Sequence, residues 1–137
     1  MPKSTYNVAW VVWLQAAILI ILFFTPGDLY NAVPVYIGEL SKNLILATRK
    51  FLGHPLPENN FRHFEKWQQF KIGDFLITPY LMDHSAVDAY AFLVEAEGRR
   101  IFYSGDFRAS GNKAFLFDKL LHEPPLNIDL LLMEGTM

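Results

Sequence analysis

Apolar positions along the chain fall into one long run followed by shorter, punctuated ones. Val8 to Phe24 (VAWVVWLQAAILIILFF) is a 17-residue stretch interrupted only by Gln15. That length meets the lower limit of about 17 to 25 residues for crossing the hydrocarbon core of a bilayer. Lys3 and the amino terminus put positive charge before the run, and Tyr6, Trp10 and Trp13 are suited to the interface. Thr25-Pro26-Gly27-Asp28 is a turn that stops a helix, and no small-x-small cleavage site follows the run. Residues 1–32 therefore read as an apolar N-terminal helix, a candidate single-pass membrane anchor through residues 8–24. The competing reading is a very apolar strand or helix buried in a larger fold, in which case the chain is cytoplasmic.

The pattern then changes to alternating strands and helices. Val33–Ile37 (VPVYI) is a short β-branched and aromatic strand, and Gly38 leads into a helix over about Glu39–Phe51 that places Leu40, Leu44 and Phe51 on one face. Gly53 and Pro55 end it, and residues 55–60 form a loop. Phe61–Phe70 fits neither period, whereas Phe75–Met82 reads as a strand in which Pro79 implies an edge or a bulge. Ala89–Glu95 and Arg99–Ser104 flank Ala96-Glu97-Gly98, a hairpin turn with Gly98 at positive φ. Lys113–His122 has helical spacing and stops at Pro124-Pro125. Ile128–Met133 is a continuous apolar run of the kind covered on both faces. The fold class is α/β.

Composition sharpens this picture. The 137 residues are 52% apolar and 15% aromatic, which excludes a disordered chain, and they suffice for one domain of common size. A net charge of −2 excludes a strongly basic surface for nucleic acid. Of the 12 basic and 14 acidic side chains only Lys3 and Asp28 fall within residues 1–33, so the leader and the remainder differ in character. With no cysteine, any metal must be held by His, Asp or Glu.

Chemistry concentrates in Leu81–Phe107. With Glu97 and Gly98 at the centre of a two-residue turn, cross-strand partners sum to about 195. Asp106 then lies opposite Ala89 at the open end of the hairpin, with His84 just before that end. Neutral imidazole with carboxylate suits zinc, manganese or iron, and Gly105 allows close backbone approach to a bound group. On spacing alone Asp106 is equally a turn former and His84 a loop residue, because two ligands without a third specify little. Asp83 and Asp88 are carboxylates placed to orient such ligands, or turn residues if no metal is present. His54, His63 and His122 have no partner at metal-ligand spacing.

Three blocks extend the argument: Thr78-Pro79 with Asp83-His84-Ser85-Ala86-Val87-Asp88-Ala89, then Phe102-Tyr103-Ser104-Gly105-Asp106-Phe107-Arg108, then Leu131-Leu132-Met133-Glu134-Gly135-Thr136. Residues 33–137 carry them in an order that resembles the metallo-β-lactamase-fold metallo-hydrolases, and among these the ribonuclease J and β-CASP-like nucleases. The resemblance implies part of an αββα sandwich and a zinc-dependent hydrolase with two metal ions acting on a phosphodiester or related ester. By motif, metal ligation falls on His84 and Asp106, the latter bridging the ions. Asp83, Ser85 and Asp88 fall in supporting places around them, and nucleic acid enters as a partner through the resemblance alone.

The departures from the family bear on activity. Its His-x-His-x-Asp-His cluster, which supplies most of the ligands, belongs before the strand at Val33–Ile37, where residues 1–33 contain no histidine. The second half of the family's domain, with its last metal-binding His, belongs after Thr136. The expectation is a partial domain, inactive as this chain, to which no catalytic residue is assigned and in which retention of zinc is in doubt. Activity would return if a complementing polypeptide supplied the missing ligands. Two alternatives stand beside it: a non-catalytic, membrane-anchored α/β interaction module, and a gene fragment whose first 32 residues arise from a shifted reading frame. Half of a layered αββα domain also leaves a sheet edge and one apolar face uncovered.

Overall fold

A computed structural model describes residues 34–134 of the chain. The apolar leader, residues 1–32, lies outside the described residues, as do Gly135 and Thr136 of the third block. Among the described residues no helix is long and apolar enough to cross a membrane.

The fold is mixed α/β. Strand β1 (Val35–Ile37), helix α1 (Glu39–Phe51) and strand β2 (Phe61–His63) form a βαβ unit whose two strands pair in parallel, Val35 against Phe61. Strands β3 (Phe70–Ile72), β4 (Phe75–Leu81), β5 (Tyr90–Ala96), β6 (Arg99–Tyr103) and β7 (Leu130–Leu132) form a second sheet in that order. It is antiparallel except for the parallel β6–β7 pair, whose crossover contains helix α2 (Phe115–His122).

Side-chain alternation stacks these parts into four layers. Val35 and Ile37 point to one side of β1 and pack with Ile45 and Leu46 of α1 around buried Leu56 and Phe61. Tyr36 points to the other side, where its ring stacks on Phe70. Phe64 continues this aromatic seam, stacking on Phe70 and meeting Tyr90 and Phe92 edge-on. Ala91 and Leu93, the alternate residues of β5, face the opposite way into a core with Met82 and Phe102, against which Leu120 of α2 and Ile128 pack. The order of layers is thus α1, the small sheet, the large sheet, α2. Each fully buried Leu, Phe or Met in these seams contributes about 1.5–3 kcal/mol.

The hairpin follows the sequence closely. Its register runs from Ala96↔Arg99 to Phe92↔Tyr103, every pair summing to 195. Glu97 and Gly98 both have positive φ, 51° and 73°, which is the backbone of a type I′ turn whose twist matches the strands. Helix α1 has the bounds that its spacing predicts, and Asp88 accepts the Ser41 amide at its start (2.8 Å), because the N-cap Gly38 has no side chain to do so.

Leu40, Leu44 and Phe51 share one face of α1, and that face is exposed, Leu44 to 69% and Phe51 to 90%, while Ile45 and Leu46 pack inward. Three expectations are corrected. Pro79 lies on an interior strand without a bulge, fully buried. β3 ends opposite Ile77, so the missing N–H removes no ladder bond, and the Pro79 carbonyl accepts the Trp67 amide. Among the described residues β7 is an edge strand, with Leu131 54% exposed, where covering on both faces is expected. Antiparallel pairing stops at Tyr103, short of any Asp106–Ala89 pair, because the chain leaves the extended conformation at Gly105, with φ +57°.

Candidate functional site

Topology gathers the three sequence blocks. The loop after β4, the turn after β6 and the segment after β7 all emerge at one end of the large sheet. β5 returns antiparallel to β4, β6 returns to that end, and β7 runs parallel to β6. Strand ends of this kind are where functional side chains collect.

Asp83 is the centre of the arrangement. It is completely buried, and its Oδ2 accepts the Gly111 amide at 2.6 Å. Its Oδ1 accepts no hydrogen bond among the described residues and lies 3.7 Å from Arg108 Nε, an ion pair held by charge rather than by a hydrogen bond. The Asp83 carbonyl accepts the Arg108 amide at 2.8 Å. Gly111 is required by closeness: a Cβ there would sit 2.5 Å from both Asp83 oxygens.

Lys113 completes the link from the other side. Its ammonium donates to the carbonyls of Met82 (3.1 Å), Ala86 (3.0 Å) and Val87 (2.9 Å), one for each of its three N–H bonds. The segment Arg108–Lys113 thereby clasps the loop that carries His84. The third block joins through Glu134, whose carboxylate accepts the Phe107 amide at 2.9 Å and whose amide lies 3.3 Å from Ser104 Oγ. Gly105 turns the chain between these contacts at φ +57°.

His84 is half-buried, with Nδ1 3.1 Å from the hydroxyl of exposed Ser85 and no bond from Nε2 to a described residue. The His84 carbonyl faces the Arg108 guanidinium at 3.5 Å. Asp106 is exposed on the turn after β6. Burial pushes the Tyr103 hydroxyl up from its ordinary pKa, and the charges of Asp106 and Glu134 add to that. Asp88 is turned toward α1, where it is engaged by Ser41. The loops of His84 and Asp106 are therefore tied to each other, with Asp83 in the tie, while Asp88 serves the helix terminus.

Among the described residues no three His, Asp or Glu side chains gather to hold a metal ion. One imidazole and one carboxylate fall short of the four ligands of a structural zinc site and of the three plus water of a catalytic one. The described residues alone do not fit a complete zinc centre.

Lys113 and Gly111 are absent from the sequence-level candidates. Spacing puts Lys113 at the start of a helix, whereas the helix begins at Phe115 and Lys113 lies in the turn before it. The run Ser104–Lys113, dense in small and turn-forming residues before a helix, is the signal that the chain there follows a loop rather than a surface.

No protein-family model matches the chain, and no curated protein matches it. Among solved structures it is similar to a crystal structure of a protein of unknown function from Enterococcus faecalis V583, at 25% identity and a TM-score of 0.60 over 77% of this chain and 26% of that one. It is also similar to the metallo-β-lactamase-fold protein YhfI from Bacillus subtilis, at 15% identity and a TM-score of 0.49 over 92% of this chain and 45% of that one. The chain thus spans less than half the length of either structure.

Proposed function

We propose that residues 33–137 belong to a metal-dependent hydrolase domain of the metallo-β-lactamase fold, in its ribonuclease J and β-CASP-like branch, that acts when complete on a phosphodiester or related ester. In this reading His84 and Asp106 are two donors of a dinuclear zinc centre, and a second polypeptide supplies the others. The observation that supports it is the meeting of the three sequence blocks at one end of the large sheet, through Asp83 with Arg108 and Glu134 with Phe107. A dinuclear hydrolase needs its donors on rigid strand ends in fixed relation, so that the ions clamp attacking and leaving oxygens together. Alone, the chain is inactive in this reading.

The test is reconstitution with a polypeptide bearing a His-x-His-x-Asp-His segment, followed by bound zinc and cleavage of an activated phosphodiester. Zinc-dependent cleavage that disappears in Asp106→Ala is the expected result; a complex without stoichiometric zinc overturns the reading.

The bare apolar outer surfaces of α1 and β7 favour a second reading, a non-catalytic α/β interaction module held at a membrane by residues 8–24. It requires resistance to alkaline extraction from membranes, and recovery in the soluble fraction removes it.

A further inference from the structure

We propose that Lys113 is a positioning residue whose ammonium acts as a built-in cation, closing the Met82–Val87 loop and thereby setting the orientation of His84. The inference goes beyond the hydrolase reading and stands without it, since it concerns the order of a loop in the absence of metal and substrate.

The geometry is that of a small cation site already filled. The carbonyls of Met82, Ala86 and Val87 converge on one nitrogen at 2.9–3.1 Å. Three parallel needs meet there. The loop turns back on itself between β4 and β5, which leaves carbonyls without ladder partners. An ammonium has three donors and no acceptor, so it matches three carbonyls with nothing left over. Hydrogen bonds from a charged donor are also stronger than neutral ones. No carboxylate pairs with Lys113 among the described salt bridges, so its charge is committed to backbone dipoles. His84 and Ser85 lie inside the closed stretch, between Met82 on one side and Ala86 on the other.

The partners of Asp83 make the effect directional. Gly111 and Arg108 hold the start of the loop from the same segment that carries Lys113. Removing the ammonium frees Ala86 and Val87 while Asp83 stays anchored, so the loop opens at its far side and His84 swings on a fixed hinge.

The experiment uses the full chain, without metal. In the unaltered protein, NMR couplings across hydrogen bonds from the Lys113 Nζ to the carbonyl carbons of Met82, Ala86 and Val87 are expected. In Lys113→Met, nicking by elastase after Ala86 or Val87 should rise about tenfold, because cleavage follows the population of the open loop. The His84 Nδ1 resonance should move as well, while the β5–β6 hairpin resonances stay in place. In Lys113→Ala, millimolar propylammonium should slow nicking again by refilling the cage. Lys113→Arg should not restore it, since a planar guanidinium cannot direct three donors to a point. Unchanged nicking and an unchanged His84 signal in Lys113→Met would overturn the proposal. Should that variant not fold, the couplings in the unaltered protein decide: their absence sinks the idea.

Discussion

The loop end of the large sheet and its β7 edge, though adjacent, are built on opposite terms. At the loop end three side chains are answered from within: Asp83 by the Gly111 amide and the Arg108 charge, Lys113 by three carbonyls, Glu134 by Phe107 and Ser104. At the edge, Leu131 stands 54% exposed on a strand with one neighbour among the described residues, Met133 just after it is 59% exposed, and across the molecule α1 presents Leu44 and Phe51 in the same way. The difference teaches that, among the described residues, the loop end is tied together by its own side chains and backbone, whereas the β7 edge and the outer face of α1 are not covered. An open strand edge with apolar side chains is a template for another strand.

The largest effect tests the self-sufficient end. Asp83→Ala empties a fully buried site and leaves the Gly111 amide unanswered, and should cost about 3 kcal/mol in urea denaturation. Gly111→Ala attacks the same contact from the other side. A methyl 2.5 Å from both carboxylate oxygens forces the backbone apart, for a cost of about 2 kcal/mol. If both variants unfold at the midpoint of the unaltered chain, the loop end is no more tightly built than the edge.

The aromatic seam between the layers supplies a pH test. Burial, then the charges of Asp88 and Glu65, push the Tyr90 hydroxyl up to about 12, and burial raises Tyr80 and Tyr103 as well. A raised value means that the folded chain keeps protons which the unfolded chain releases from about pH 10. Stability is therefore fully present below pH 10 and falls as pH climbs toward 12. Tyr90→Phe should flatten that decline in denaturation series between pH 9 and 12, and an unaltered slope would place the sensitivity elsewhere.

Sequence periodicity located elements better than it chose their faces. The sum rule of the hairpin held at every pair because a two-residue turn leaves no freedom of register once Glu97 and Gly98 take positive φ. Helix α1 has large apolar residues at 40, 44, 45, 46 and 51, an arc wide enough to bury from either side. The choice of Ile45 and Leu46 came from β1 and Leu56, which spacing within a helix does not encode. The apolar run at 128–133 signals a strand correctly, but exposure depends on whether a neighbour lies beyond it. At the site, the motif blocks marked His84, Asp106 and Asp83. The role of Lys113 depended on carbonyl directions, which residue types do not carry.

The bare surfaces are probed next. Leu131→Lys and Leu44→Lys remove apolar area that the other described residues leave exposed, so each should change stability by no more than about 0.5 kcal/mol. Each should also reduce self-association in sedimentation velocity, Leu131→Lys the more because charge on an edge strand blocks pairing. Undiminished association in both variants would mean that neither surface is where copies of the chain meet.

The smallest expected effect sets two lysines of one segment against each other. Lys119 pairs with Glu123 one turn along α2, with side chains 43% and 69% exposed, and its ammonium also lies 5.8 Å from the Trp67 ring centre. Its hydrogen bond and charge hold the Glu123 carboxyl below its ordinary pKa. A lowered value contributes stability above the unfolded carboxylate pKa that is lost as pH falls through the folded one, but in a solvated pair of long side chains the entropy of fixing them and screening by salt offset the attraction. Glu123→Gln should therefore leave the denaturation midpoint at neutral pH where it is. Loss of Lys113, six residues earlier, should open the loop, because its charge is spent on three backbone carbonyls of that loop. A shift in Glu123→Gln as large as that in Lys113→Met would mean that charge on this segment, rather than its placement, supports the loop.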